Sequence, residues 1–220
     1  MKNFCIVSDF DGTISKKDGL YSFICQYAVG DWEKIEQDWV EGKINSKQCL
    51  IEEFKLIPNL SEELIAEFVE NLGIDEYFAE FYNYTVQNNI DFYIVSDGID
   101  YFIERILNKH NLNNIKIISN HGSFRGESFE ITFPNDNPNC INHAGTCKCN
   151  IIANLRDKYD NIIYIGDGVS DYCVSDKADT LFAKSRLAGY CIENSIRYIE
   201  YNDFGDILKE IQNKNAVISY

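Results

Sequence analysis

The sequence predicts an α/β fold, a Rossmann-like parallel sheet sandwiched by helices, with a small helical cap domain inserted into it. Three observations carry this expectation. Short apolar, β-branched runs end on polar, glycine-bearing clusters, and helical patterns separate most of these runs. About 80 residues without a strong strand signal then lie between the first run and the second, where an ordinary crossover needs about a dozen.

The first run, Phe4–Ser8, stops at Asp9-Phe10-Asp11-Gly12-Thr13, the pattern of a buried parallel strand that delivers polar groups at its carboxyl end. Comparable runs follow at residues 92–96, 115–119, 162–166 and Thr180–Ala183. A helical pattern at 103–107 follows the second run and another at 151–155 precedes the fourth, giving βαβ alternation. The long interval carries amphipathic runs at 20–29, Trp32–Val40, 47–54, 64–72 and 77–86. We therefore divide the chain into a core domain, residues 1–14 and 86–220, and a helical cap domain, residues 15–85, whose aromatic stripes read as packing rather than as a cofactor box. Gly126-Glu127 divides two alternating stretches between 123 and 131, which suggests a β-hairpin.

The chain has 220 residues, 45% of them hydrophobic and 25% charged, enough for one good core plus a small accessory domain. Its formal net charge of -15, from 35 acidic against 20 basic residues, repels phosphate backbones and anionic lipid surfaces, so neither nucleic acid nor membrane is an expected partner. The opening residues, Met1 to Ser8, reach an aspartate after a short apolar run and read as neither signal peptide nor anchor. Eight cysteines without an export signal point to thiols or ligands rather than disulfides, and to a cytoplasmic protein; the sequence leaves monomer and homodimer both open.

Ligands of parallel sheets bind at the carboxyl ends of strands, where the polar clusters fall. Asp9 and Asp11 are two residues apart and share a face in an extended segment. One could attack phosphorus while the other protonates the leaving alcohol and then activates water. The plainer alternative is a strand-ending turn, since Asp and Gly favour turns everywhere. Val95-Ser96-Asp97-Gly98 ends the second strand, and the Ser96 hydroxyl with the backbone N–H groups of Asp97 and Gly98 could hold a phosphoryl oxygen. A simple helix entry would look the same.

Gly166-Asp167-Gly168-Val169-Ser170-Asp171 follows the fourth strand. Magnesium takes oxygen ligands, usually few carboxylates plus waters and substrate phosphate, which suits Asp167 as a ligand with Asp171 supporting it or ligating through water. Asp171 would also serve as an N-cap, and the two readings are compatible. Lys148 begins the helical run leading to that strand and could neutralise phosphate charge, although most lysines are solvated surface charges.

This order, Asp9-Phe10-Asp11-Gly12-Thr13, then Ser96, then Lys148, then Gly166 to Asp171, resembles the four motifs of haloacid dehalogenase phosphatases, across nearly the whole chain. The resemblance implies a magnesium-dependent phosphatase acting on a small phosphorylated metabolite, with Asp9 as nucleophile, Asp11 as general acid/base, and Ser96 with Lys148 binding the phosphoryl group. It implies that Asp9, the Asp11 carbonyl and Asp167 hold the magnesium ion. The insertion resembles the helical cap of the phosphoserine phosphatase branch. Within that branch, Val95 to Phe102 and Phe182 to Cys191 resemble the phosphatases that process 2-hydroxy-3-keto-5-methylthiopentenyl-1-phosphate. A phosphotransferase or mutase would use the same aspartyl-phosphate, and a metabolite-binding regulator, which needs no acid/base aspartate, would keep the scaffold without turnover.

One further cluster stands apart. Cys140, His143, Cys147 and Cys149 surround Lys148 in sequence and could close a structural zinc site, or remain free or redox-sensitive thiols.

Overall fold

The computed structural model describes residues 3–140 and 143–218. Among them seven strands form one sheet: β1 (Phe4–Ser8), β2 (Asp91–Ile99), β3 (Lys116–Arg125), β4 (Ser128–Thr132), β5 (Asn161–Gly166), β6 (Thr180–Ala183) and β7 (Ile199–Glu200). Their spatial order is β4-β3-β2-β1-β5-β6-β7. Every pair is parallel except β3 with β4, which are antiparallel and joined at Gly126, whose φ of 64° is the left-handed turn conformation glycine adopts at no steric cost. The chain builds outward from β1 in one direction, then crosses to the other side, so β1 is the topological switch point. Crevices outside the carboxyl ends at such a point are where open α/β sheets bind ligands.

The helices are α1 (Gly19–Tyr27), α2 (Trp32–Val40), α3 (Ser46–Lys55), α4 (Glu62–Glu70), α5 (Phe78–Gln87), α6 (Asp100–Lys109), α7 (Lys148–Leu155), α8 (Ser185–Glu193) and α9 (Phe204–Ile218). The two-residue period of the strands feeds two cores. Ile6, Phe92, Ile94 and Ile165 face a core shared with α5, α6, α9 and the inserted helices. Cys5, Val7, Val95, Ile162 and Tyr164 face a second core with Ile151 and Ile152 of α7 and Leu187, Ala188 and Cys191 of α8. Burying both faces in this way is why these strands read as continuous apolar runs.

Two features differ from expectation. The third strand and the first arm of the hairpin are a single strand, β3, because residues 119–122 stay paired along one continuous backbone. Asp171 is not an N-cap. It lies inside a 3₁₀ helix, Val169–Val174, and reaches back to accept hydrogen bonds from the backbone N–H groups of Asp167 and Gly168, both at 3.0 Å.

Within the insertion, α1 packs Phe23 on Phe102 of α6 with ring centroids 5.0 Å apart. α5 packs on the sheet instead: Phe78 stands 5.8 Å from Phe92 of β2, and Phe81 stands 5.0 Å from Phe204 of α9. The two segments that connect α1–α4 to the rest run side by side. Ser15 and Ile74 form an antiparallel bridge, with Lys16 N–H donating to the Gly73 carbonyl at 3.1 Å and Asp75 N–H to the Ile14 carbonyl at 2.8 Å. Among the described residues no helix is long and apolar enough to cross a membrane.

Candidate active site

The residues at the carboxyl ends of β1 and β5 meet. Asp9, Asp167 and Asp171 each place a carboxylate oxygen within 4.8 Å of the others. Asp9 follows β1 directly and is 5% exposed. Its Oδ1 accepts hydrogen bonds from Lys148 Nζ at 2.9 Å and Phe10 N–H at 2.8 Å. Burial, then the carboxylates of Asp171 and Asp167, push Asp9 well above the usual carboxylate range, against the pull of Lys148. Asp167 is also pushed up by burial, and its Oδ1 accepts the Thr13 hydroxyl at 2.6 Å. Gly12 lets these chains approach: its φ is 74°, and a Cβ there would lie 2.5 Å from Asp167 Oδ2.

Lys148 is the hub. It is the first residue of α7 and 2% exposed, and Nζ contacts Asp9, Asp171 at 2.7 Å and Ser170 Oγ at 2.9 Å. Burial alone would depress its pKa, but the carboxylates of Asp171 and Asp9 outweigh it and hold the ammonium charged. Asp171 is fully enclosed. Its Oδ1 accepts from Lys148 and from the Tyr164 hydroxyl at 2.6 Å, while Oδ2 accepts from two backbone N–H groups, so both oxygens are doubly occupied. That arrangement fixes Lys148 and the loop after β5 together.

Asp11 stands beside β2. Gly19 N–H, at the start of α1, donates to its Oδ1 at 2.8 Å. Its Oδ2 faces Gly98, where a Cβ would come within 2.8 Å of it and 3.0 Å of Ser96 Oγ. Burial first, and then the neighbouring Asp18, push Asp11 up to about 8. Ser96 is 1% exposed and its Oγ accepts from Gly98 N–H at 2.9 Å, which leaves the hydroxyl proton to donate elsewhere. The Asp97 side chain turns the other way. It accepts from Thr146 N–H at 2.9 Å and Asn120 Nδ2 at 3.1 Å, holding the loop that leads to Lys148. Ser46 and Lys47, at the start of α3, reach that region too: Ser46 Oγ accepts from Gly145 N–H at 3.2 Å and Lys47 pairs with Asp136 at 2.6 Å.

Sequence reasoning missed Thr13, Tyr164, Asn120 and Lys184. Lys184 directly follows β6, so the rule that found the other positions applies to it as well. Burial lowers its pKa, Asp167 acts against that, and Nζ sits 3.5 Å from the Thr13 carbonyl.

The cysteine cluster does not gather as a zinc site. Ile141 and Asn142 of that segment lie outside the described residues. Cys140, His143, Cys147 and Cys149 are not among the described metal-competent groups. Cys149 Sγ donates to the Cys173 carbonyl at 3.1 Å, and His143 is exposed.

Comparison with known proteins finds relatives over nearly the whole chain. The family model described as "Putative Phosphatase" matches residues 4–204. The chain is 33% identical over 211 residues to a Bacillus mycoides protein named 2-hydroxy-3-keto-5-methylthiopentenyl-1-phosphate phosphatase, covering 95% of this chain and 94% of that one. It is 32% identical, with the same coverage, to the protein of that name from Bacillus cereus strain B4264. Among solved structures, a phosphoserine phosphatase held as a phospho-aspartyl intermediate analogue superposes with a TM-score of 0.68 at 21% identity, over 95% of this chain and 98% of that one. A Salmonella enterica serovar Typhi hydrolase of the haloacid dehalogenase family gives 0.73 at 20% identity, over 94% and 70%. With a family model matching residues 4–204 and relatives 33% and 32% identical over 95% of its length, the chain belongs to the phosphatase family that model describes, on the fold of the haloacid dehalogenase hydrolases and phosphoserine phosphatases it superposes on.

Proposed function

We propose that this phosphatase hydrolyses a small phosphorylated metabolite through an aspartyl-phosphate on Asp9. The observation that carries the assignment is the pinning of one Asp9 oxygen. Oδ1 is held by Lys148 and the Phe10 N–H, which leaves Oδ2 to attack phosphorus at the switch point of the sheet. As the Oδ2–P bond forms, the bond from phosphorus to the alcohol oxygen breaks and Asp11 gives its proton to that oxygen. Asp11 then takes a proton from water, whose oxygen attacks phosphorus and releases Asp9 and inorganic phosphate.

Lys148, the Ser96 hydroxyl and the Asp97 N–H neutralise the equatorial phosphoryl oxygens. The hard carboxylate oxygens of Asp9 and Asp167, both groups pushed up by burial first and by the nearby Asp171 carboxylate, would fit a magnesium ion, with the Asp11 main-chain carbonyl as a third ligand. Bound there, magnesium offsets the charge that gathers on the phosphoryl group. Asp171, with both oxygens already occupied, orients Lys148 and would support a bound ion indirectly rather than as a direct ligand. Helices α1–α4, within the 15–85 insertion, form the cap that covers substrate, and Gly19 couples it to Asp11.

The names of the relatives favour 2-hydroxy-3-keto-5-methylthiopentenyl-1-phosphate as the substrate, with phosphoserine-like metabolites next. Eight free cysteines suit a cytoplasmic setting. The test is phosphate release from a panel containing these phosphomonoesters, with magnesium or a chelator and Asp9→Asn as blank. Magnesium-dependent release confined to the unsubstituted protein supports the reading. Equal release by Asp9→Asn refutes it.

A further inference from the structure

We propose that the α2–α3 hairpin holds a second metal site, for a divalent ion of the zinc class, built from Glu36, Cys49 and Glu53. Asn45 caps α3 by accepting the Gln48 N–H at 2.9 Å, and this fixes the register that puts Cys49 and Glu53, four residues apart, on one helix face. Glu36 comes from α2, opposite. One ligand atom from each of the three lies within 4.8 Å of the other two, and Cys49 Sγ is 3.9 Å from Glu36 Oε2. No residue of this group belongs to the Asp9, Asp167 and Asp171 cluster.

The group is built for a cation that its own side chains do not supply. Glu53 is 6% exposed and Cys49 is 4% exposed. Glu53 Oε1 is enclosed without a hydrogen-bond partner, although the carboxylate it belongs to points at Glu36 and Cys49. A buried carboxylate facing another carboxylate and a thiol is costly unless a proton or a positive charge joins them, and a divalent ion would take the place of the proton. The donor set chooses among cations. A thiolate disfavours magnesium and calcium and suits zinc, and two carboxylates with one sulfur leave a fourth tetrahedral position for water. Binding releases the thiol proton to solvent, and the bonded ion clamps α2 to α3.

The experiment uses the full chain, stripped of metal and titrated with Co2+ as a coloured stand-in for zinc, in excess Mg2+ to occupy the Asp9 cluster. The expected result is one equivalent of Co2+ with thiolate-to-cobalt charge-transfer absorption, retained in Cys147→Ser and lost in Cys49→Ser. Glu53→Gln keeps the side-chain volume, so it reports even where Cys49→Ser misfolds. It should weaken Zn2+ binding about tenfold or more in competition with a chromophoric chelator. Absence of the band in the unsubstituted protein, its persistence in Cys49→Ser, or unchanged Zn2+ affinity in Glu53→Gln would each overturn the site.

Discussion

The two ends of the central sheet handle carboxylates in opposite ways. At the amino end, Asp91 opens β2 and is met by Lys116, Lys158 and the Tyr159 hydroxyl. These partners, Lys116 foremost, hold it down to about 2, well below the ordinary range. At the carboxyl end, Asp9 and Asp171 share the buried ammonium of Lys148 with Asp167 beside them, and burial pushes Asp9 and Asp167 up. The amino end has more positive partners than it needs and is relaxed. The carboxyl end has too few and stores repulsion, the condition under which a divalent cation and a phosphoryl group bind tightly and a carboxylate becomes reactive. One sheet thus separates holding the fold from doing the chemistry.

Carboxylate substitutions at the two ends should therefore split activity from stability, whereas removing the ammonium at the carboxyl end should cost both. The largest effect is expected for Asp9→Asn, which should lower phosphate release on the order of 10⁴-fold in steady-state assays while leaving the urea midpoint nearly unchanged. Stability loss in step with activity would break the comparison. Lys148→Met keeps much of the volume but strands Asp9 and Asp171 without their cation. We expect a loss of about 3–5 kcal/mol in chemical denaturation along with activity.

Gly98→Ala should leave the fold in place and reduce kcat roughly 10²-fold, because the new methyl group would press on Asp11 and Ser96. A wild-type rate would mean that the Asp11 carboxyl needs no such clearance. The smallest effect is expected at the amino end. Asp91→Asn should cost no more than about 1 kcal/mol, as for other half-exposed pairs, with activity unchanged. Since Asp91 is depressed in the folded chain, its contribution is full above its usual value near 4 and disappears as the pH falls through about 2. The stability difference between wild type and variant should vanish over that interval, and a difference that grows toward low pH would reverse the assignment.

Much of this was legible in the residues. The apolar runs of β1, β5 and β6 marked buried parallel strands, and the polar clusters behind them fell where the sheet order brings them together. The helices that escaped notice are those with weak periodic signals. α8 starts at Ser185 with a φ of 50° and carries Gly189 mid-helix, while α9 mixes its apolar positions with Asn and Lys. Within the site, Asp9, Asp167, Asp171 and Lys148 could be named from their motifs. Sequence could not disclose the saturation of Asp171 by Tyr164, the Thr13 bond to a residue 154 positions away, or the Gly19 N–H on Asp11. These depend on how separate segments lie against each other, which no local pattern encodes.

The bridge between Ser15 and Ile74 makes the two connections of α1–α4 a single two-stranded ribbon. Two independent linkers would let the helical unit shear, twist and swing. A ribbon cross-tied by hydrogen bonds bends easily only about the line across its width, so both strands must flex together. One tie belongs to the segment running from Asp11 to Gly19, and the other to the segment entering α5 on the sheet. Any movement of the helical unit over the crevice would therefore be geared to Asp11, the proposed acid, on one side and to the sheet on the other. A residue changed in either strand alters the swing as a whole rather than loosening one side of it.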